Sequence, residues 1–139
     1  MFGENLFLIR INPTIMKTEN LIFDKSFQFA LRIMKLYAHL KRSKVERDLA
    51  LQLLRSGTSI GANIEEAIGG SSRKDFIHKL EIAYREARES KYWIKLFMEG
   101  NWLETKLAGS FIKDCEEIIK ILTAIINSSK SKKLLITNY

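Results

Sequence analysis

Proline is almost missing from this chain. Pro13 is the single one, so nothing of that kind interrupts a helix from residue 14 onward. A single cysteine, Cys115, excludes an intramolecular disulfide and fits a reducing, cytoplasmic setting. Two histidines, His39 and His78, are all the imidazole available for a metal or a proton relay. Long apolar runs are absent as well, since lysine or glutamate cuts them far short of the ~20 residues that span a bilayer; no membrane partner is expected. Met1–Ile15 contains Leu6-Phe7-Leu8-Ile9 without a basic leader or a small-residue cleavage site, which argues against a signal peptide. Met16-Lys17-Thr18-Glu19-Asn20 reads as a second start, so residues 1–15 are expected to be an upstream extension of the domain.

What is present is the composition of one globular domain: 139 residues, 46% hydrophobic and 28% charged. Basic residues outnumber acidic ones by 23 to 16, a net charge of +7. They gather at Lys41, Arg42, Lys44 and Arg47, at Arg73, Lys74 and Lys79, and at Lys130, Lys132 and Lys133. Such clustering tilts the reading toward an anionic partner, RNA or DNA, bound through phosphates with little sequence specificity. The alternative is a solvated basic surface.

Periodicity predicts four helices. The first begins near Asn20–Asp24 and runs to about Lys41, with Phe27, Ala30, Leu31, Met34, Tyr37 and Leu40 as its apolar stripe and Phe23 and Phe29 widening it. Ser43-Lys44-Val45-Glu46 fits a capping box and opens the second, which ends near Ile68 at Gly69-Gly70, where a left-handed glycine is expected. Ser72 caps the third helix, with Asp75 in its first turn and Phe76, Leu80, Ala83, Ala87, Ser90, Ile94 and Phe97 stepping as a coiled-coil seam. Ile82, Tyr92, Trp93 and Leu96 form a second strip, and Gly100-Asn101 ends the helix. The fourth follows Phe111, Cys115, Ile118, Leu122 and Ile125, and from Ser128 a polar, basic exit reads as a loose tail. The fold class is all-α, an up-down-up-down antiparallel four-helix bundle over residues 16–129, with a basic tail at 130–139.

One segment of the second helix carries an unusual mixture. Arg55, Ser56, Gly57, Ser59, Gly61, Asn63 and Glu66 combine hydroxyls, an amide, charges and two glycines on a helix. Each interior glycine costs roughly 0.5–1 kcal/mol relative to alanine, which a close neighbouring helix would offset. The polar side chains are expected to fix helix register by hydrogen bonds, with Arg55, Arg85 and Arg88 pairing to Glu65, Glu66, Glu86 or Glu89. No catalytic residue, cofactor site or metal site is assigned. Asp75-x-x-His78 has no second carboxylate–histidine pair to complete a di-metal bundle, Cys115 keeps core register, and no glycine-rich phosphate loop occurs. Tyr84, Tyr92, Trp93 and Trp102 read as core or subunit interface, or as platforms for bases.

Three segments together are characteristic: Phe27-x-x-Ala30-x-x-Ile33; Arg55-Ser56-x-x-Ser59-Ile60-x-x-Asn63-Ile64-x-Glu66-Ala67; and Phe76-x-x-x-Leu80-x-Ile82-Ala83-x-x-Glu86-x-x-Glu89-x-x-Tyr92-Trp93. From about Met16 to Ser129 the chain thereby resembles the small bacterial four-helix-bundle proteins first noted as reading frames within intervening sequences of 23S ribosomal RNA genes. Many members carry glycine where Ala67 stands here. The resemblance implies a homo-oligomer, a ring of five bundles, and no catalytic residue. A related branch is the accessory protein of diversity-generating retroelements, a basic pentameric barrel taken to bind nucleic acid and a reverse transcriptase. The expected function is therefore non-enzymatic: self-association, with Lys41, Arg42, Lys44, Arg47, Arg73 and Lys74 contacting nucleic acid. A scaffold that docks another protein is the alternative.

Overall fold

The computed structural model describes residues 13–137. Helix α1 spans Pro13–Arg42, α2 Arg47–Ile68, α3 Arg73–Glu99 and α4 Thr105–Thr137, and no strand occurs among the described residues. Each helix packs on its sequence neighbours, and α1 closes the ring of four against α4. The all-α, up-down-up-down bundle is thus the fold. The α1–α4 seam is the thinnest of the four; a charged cleft lies along it, bridged at the surface by Lys25–Glu117 at 3.2 Å and by Arg32–Asp114.

The α3 seam is buried throughout as its spacing predicts, and so are Phe111, Cys115, Ile118, Leu122 and Ile125 of α4. Ser72 accepts the Asp75 amide at 3.1 Å, which caps α3 as expected. Helix α1 is rotated from the expected face. Its core residues are Ile22, Ser26, Phe29, Ile33, Leu36 and Leu40, whereas Phe27, Leu31 and Met34 are exposed and Ala30 and Tyr37 half-buried. The helix also begins earlier, at Pro13 rather than Asn20–Asp24. Residues 1–12, and with them most of the expected Met1–Ile15 extension, lie outside the described residues.

Two helix ends depart from expectation for one reason. Ser43 does not cap α2; its hydroxyl donates to the His39 carbonyl at 3.0 Å, and Glu46 at the N-cap makes no side-chain capping bond. The segment instead terminates α1, with Lys44 left-handed at φ 59, its amide on the Lys41 carbonyl (3.3 Å) and the Val45 amide on Leu40 (3.2 Å). That is a Schellman stop in which the apolar C″ residue, Val45, packs on the core. Asn101 (φ 62) stops α3 in the same way, the Trp102 amide bonding Phe97 at 2.8 Å with the two rings 5.4 Å apart. No described glycine has positive φ, and Gly69 at φ −78 leaves α2 without a left-handed residue. Gly70 matters for space, because a Cβ there would lie 3.1 Å from the Ala67 carbonyl oxygen. The polar exit after Ser128 is helical to Thr137 rather than loose, with Ser129 buried and Lys130 paired to Glu81 at 2.5 Å.

Four serines lie in the core, and each hydroxyl finds a carbonyl of its own helix: Ser26 on Phe23, Ser56 on Leu53, Ser90 on Glu86 and Ser129 on Ile125. Satisfied this way they act as small residues, and neighbouring helices close in over them.

Candidate functional site

The mixed segment of α2 meets α3 in a polar network. The Ser90 and Ser56 hydroxyl oxygens meet across the α2–α3 contact at 3.0 Å, both buried. Just outside, the Arg55 guanidinium bridges two α3 carboxylates, Glu89 at 2.6 Å and Glu86 at 3.4 Å. Glu89 Oε1 also accepts the Trp93 indole N–H at 3.2 Å. The pairing of Arg55 with Glu86 and Glu89 is therefore as the sequence suggests. Ser59 and Asn63 do otherwise: their side chains donate to the Arg55 and Ser59 carbonyls within α2, at 2.6 and 2.8 Å, and so do not lock helix register. Glu66 pairs with Lys79 of α3 at 2.8 Å. Gly57 admits α1 closely, whereas Gly61 leaves ordinary room beside Ser26.

Burial pushes Glu86 up, with the Arg55 charge opposing. Burial also works to raise Glu89, but hydrogen bonds from Arg55 and Trp93 outweigh it and hold that carboxyl below its usual range. Glu89 thus adds stability that is lost as pH falls through its lowered pKa, while Glu86 carries a cost that is relieved as pH falls through its raised one. The two slopes oppose each other. In Arg55→Met both carboxylates keep their burial and lose their cation, so both titrate upward. The variant is expected to be about 1 kcal/mol less stable at pH 7 and to recover toward wild type between pH 7 and 4.5, read from urea midpoints. A pH-independent deficit would refute this account of the network.

Nothing in this network faces a closed cavity with a nucleophile. Burial pushes the Cys115 thiol up to about 12, so it stays protonated within the core. Among the described residues no group of three or more His, Cys, Asp or Glu is placed to hold a metal ion, and no helix is long and apolar enough to cross a membrane. His39 and His78 are both exposed.

The expected nucleic-acid contacts fall at opposite ends of the bundle. Lys41, Arg42, Lys44 and Arg47 surround the α1–α2 turn, while Arg73 and Lys74 open α3 beyond the far end of α2. The 22 residues of α2 separate the groups by roughly 33 Å, so one copy does not bring all six together. Two surfaces escaped the sequence reading. The first is an apolar groove of about 550 Å³ between α1 and α2, walled by Phe23, Phe27, Leu31 and Met34 and floored by Gly61 and Ala62. Phe27 and Met34 are 53% and 55% exposed there. The second is a cleft between α3 and α4 lined by Arg88, Lys91, Tyr92, Lys95 and Lys120. Its signal was present in Arg88-x-x-Lys91-Tyr92-x-x-Lys95, which repeats over two turns of one helix face.

Residues 18–124 match the 23S rRNA-intervening sequence proteins. The chain belongs to that family. The match covers most of α1, all of α2 and α3, and α4 as far as Ala124. A crystal structure of a protein of unknown function from the S23 ribosomal protein family of Bacteroides thetaiotaomicron VPI-5482 is 44% identical, with a TM-score of 0.77 over 79% of this chain and 98% of that one. No curated protein matches. Membership in the 23S rRNA-intervening sequence family fits the Arg55–Ala67 segment, in which Arg55, Ser56, Gly57, Asn63 and Glu66 serve packing or pairing between helices or within α2.

Proposed function

We propose that this member of the family is a non-catalytic, cytoplasmic protein that assembles with copies of itself and offers a basic surface to RNA or other nucleic acid. The exposed apolar face of α1 carries the self-association reading. Phe27, Leu31 and Met34 stand along one side of a helix whose other side is the core. Water contact with such a strip is unfavourable by about 25 cal/mol per Å² of apolar surface, and contiguous patches of this kind mark interfaces. Projecting Phe27 and Met34 lie beside a hollow lined by Gly61 and Ala62, and Glu65 is the one charged residue among those that line it. A second copy is the occupant whose chemistry matches it. The family resemblance favours closure as a ring of five.

In a ring with bundle axes side by side, each copy contributes its Lys41, Arg42, Lys44 and Arg47 cluster to the same rim. Repetition then gives by avidity what one +7 chain lacks. In static light scattering the wild type is expected at five times the 16.1 kDa chain mass, and Phe27→Asp/Met34→Asp at one, with helical circular dichroism kept. Filter retention of RNA at low salt should fall at least tenfold in that variant. A monomeric wild type refutes self-association; no retention at micromolar protein refutes the nucleic-acid reading. Were the groove instead to take a helix of a different protein, the wild type would be monomeric alone, and the adaptor reading would stand.

A further inference from the structure

We propose that the cleft between α3 and α4 binds single-stranded nucleic acid, with Arg88, Lys95 and Lys120 on phosphates and a base stacked on Tyr92. The inference rests on the nucleic-acid reading above and names a site within it. Three observations carry it.

The first is charge. Arg88, Lys91, Lys95 and Lys120 line the cleft, whose volume is about 420 Å³, against the single carboxylate of Glu116. Glu116 is already engaged by Lys91 at 3.2 Å, which leaves three cations for a ligand. The second is an aromatic ring held ready. Tyr92 is 58% exposed in the middle of these cations, an unusual place for a tyrosine to be left in water. Its ring is fixed edge-on against Trp93, centroids 5.1 Å apart at 71°. Trp93 in turn is tied through Glu89 to Arg55. The ring is thus braced on one side before any ligand arrives, which lowers the cost of ordering it beneath a base.

The third observation concerns Arg88. Its guanidinium lies 5.7 Å from the Tyr84 ring centroid and donates to the Tyr84 hydroxyl at 3.1 Å, which orients the fork beside the cleft. A planar donor set in fixed orientation suits a phosphate oxygen pair. Phosphate-binding cations flanking an aromatic face are what a single strand requires; a duplex keeps its bases stacked on one another and offers none to Tyr92. The cleft also lies on the side of the bundle opposite the α1–α2 groove, because α3 and α4 are the pair not joined in that seam.

Fluorescence anisotropy with a labelled mixed-sequence 20-nucleotide RNA and its duplex form, at 50 and 200 mM salt, tests the proposal on the full chain. The wild type is expected to prefer the single strand. Arg88→Gln/Lys95→Gln/Lys120→Gln should lower the slope of log affinity against log salt by about 2, as loss of three phosphate contacts requires. Tyr92→Ala should lose about tenfold in affinity with the slope unchanged, and Tyr92→Phe should retain it. All the substituted side chains are exposed, and unchanged circular dichroism melts confirm folding. If the wild type binds but the cleft variants match it while Lys41→Gln/Arg42→Gln/Lys44→Gln/Arg47→Gln does not bind, the cleft is wrong and the broader reading survives. A wild type that binds neither form overturns both. A change in light-scattering mass for Tyr92→Ala makes the cleft a subunit interface and overturns the site, as does equal binding of duplex and single strand.

Discussion

Phe29→Ala is expected to destabilise the bundle by about 3–5 kcal/mol, while Phe27→Ala, two residues away, changes the folding of a dissociated chain by no more than about 0.5 kcal/mol. Phe29 is 1% exposed and meets the Phe111 ring edge-on, centroids 6.2 Å apart at 70°. Its removal leaves a cavity lined by a core that closes only in part. Phe27 stacks on Phe23 at the surface, 6.2 Å between centroids, and its loss exposes little that was dry. Urea unfolding on a Met34→Asp background, which keeps assembly out of the measurement, separates the two. The effect of Phe27→Ala then belongs in the oligomer mass. Were Phe27→Ala the more damaging of the pair for the dissociated chain, α1 would be turned the other way and the apolar groove would not exist.

Gly57→Val should cost about 3 kcal/mol, and Gly61→Ala should be neutral or stabilising by up to about 1 kcal/mol, although the two glycines stand four residues apart on one helix. A Cβ at Gly57 would lie 2.8 and 2.9 Å from the two γ-carbons of Ile33. Ile33 is fully buried and branched at Cβ, so it has no flexible end to move aside. At Gly61 the nearest atom is Ser26 Oγ at 3.4 Å, an ordinary contact, and alanine there gains helix propensity. The sequence reading gave both glycines the same part, so that Gly61→Leu would disrupt the fold or the oligomer. The geometry assigns the close approach to Gly57, and a leucine at Gly61 extends into the surface groove, where it should block assembly more than folding. Partial rescue of Gly57→Val by Ile33→Ala in a double-mutant cycle would locate the clash, and strict additivity would refute it.

How much of this was legible depended on how regularly the core stripe of a helix repeats. In α3 the seam steps evenly from Phe76 to Phe97 while the second strip, Ile82, Tyr92, Trp93 and Leu96, does not, and every member of the seam is buried. Helix α1 carries two stripes. The true one contains Ser26, which reads as a polar interruption because nothing in the sequence reveals that its hydroxyl is satisfied by the Phe23 carbonyl and that α2 packs over it at Gly61. Aromatic Phe27 made the other stripe look stronger. Ser43-x-x-Glu46 matched a capping pattern that the chain uses differently; Leu40 and Val45, the apolar pair bracketing Lys44, were the available sign of a Schellman stop. The Arg55 pairing was readable from charge and spacing. The α3 half of the α3–α4 cleft was readable in Arg88-x-x-Lys91-Tyr92-x-x-Lys95; the other half was not, since it needs Lys120 brought beside Arg88 and Lys95 from a helix that sequence spacing alone cannot align.

The thin α1–α4 seam gives the bundle an order of opening. Helices α2, α3 and α4 are joined by broad apolar contacts, while α1 holds α4 through the Phe29–Phe111 ring contact and, at the rim of the cleft, through charged pairs. Such pairs weaken with ionic strength, whereas the buried contacts do not. Salt therefore loosens the outer edge of this seam first, while Ile33 against Gly57 and Phe29 against Phe111 keep α1 in the core.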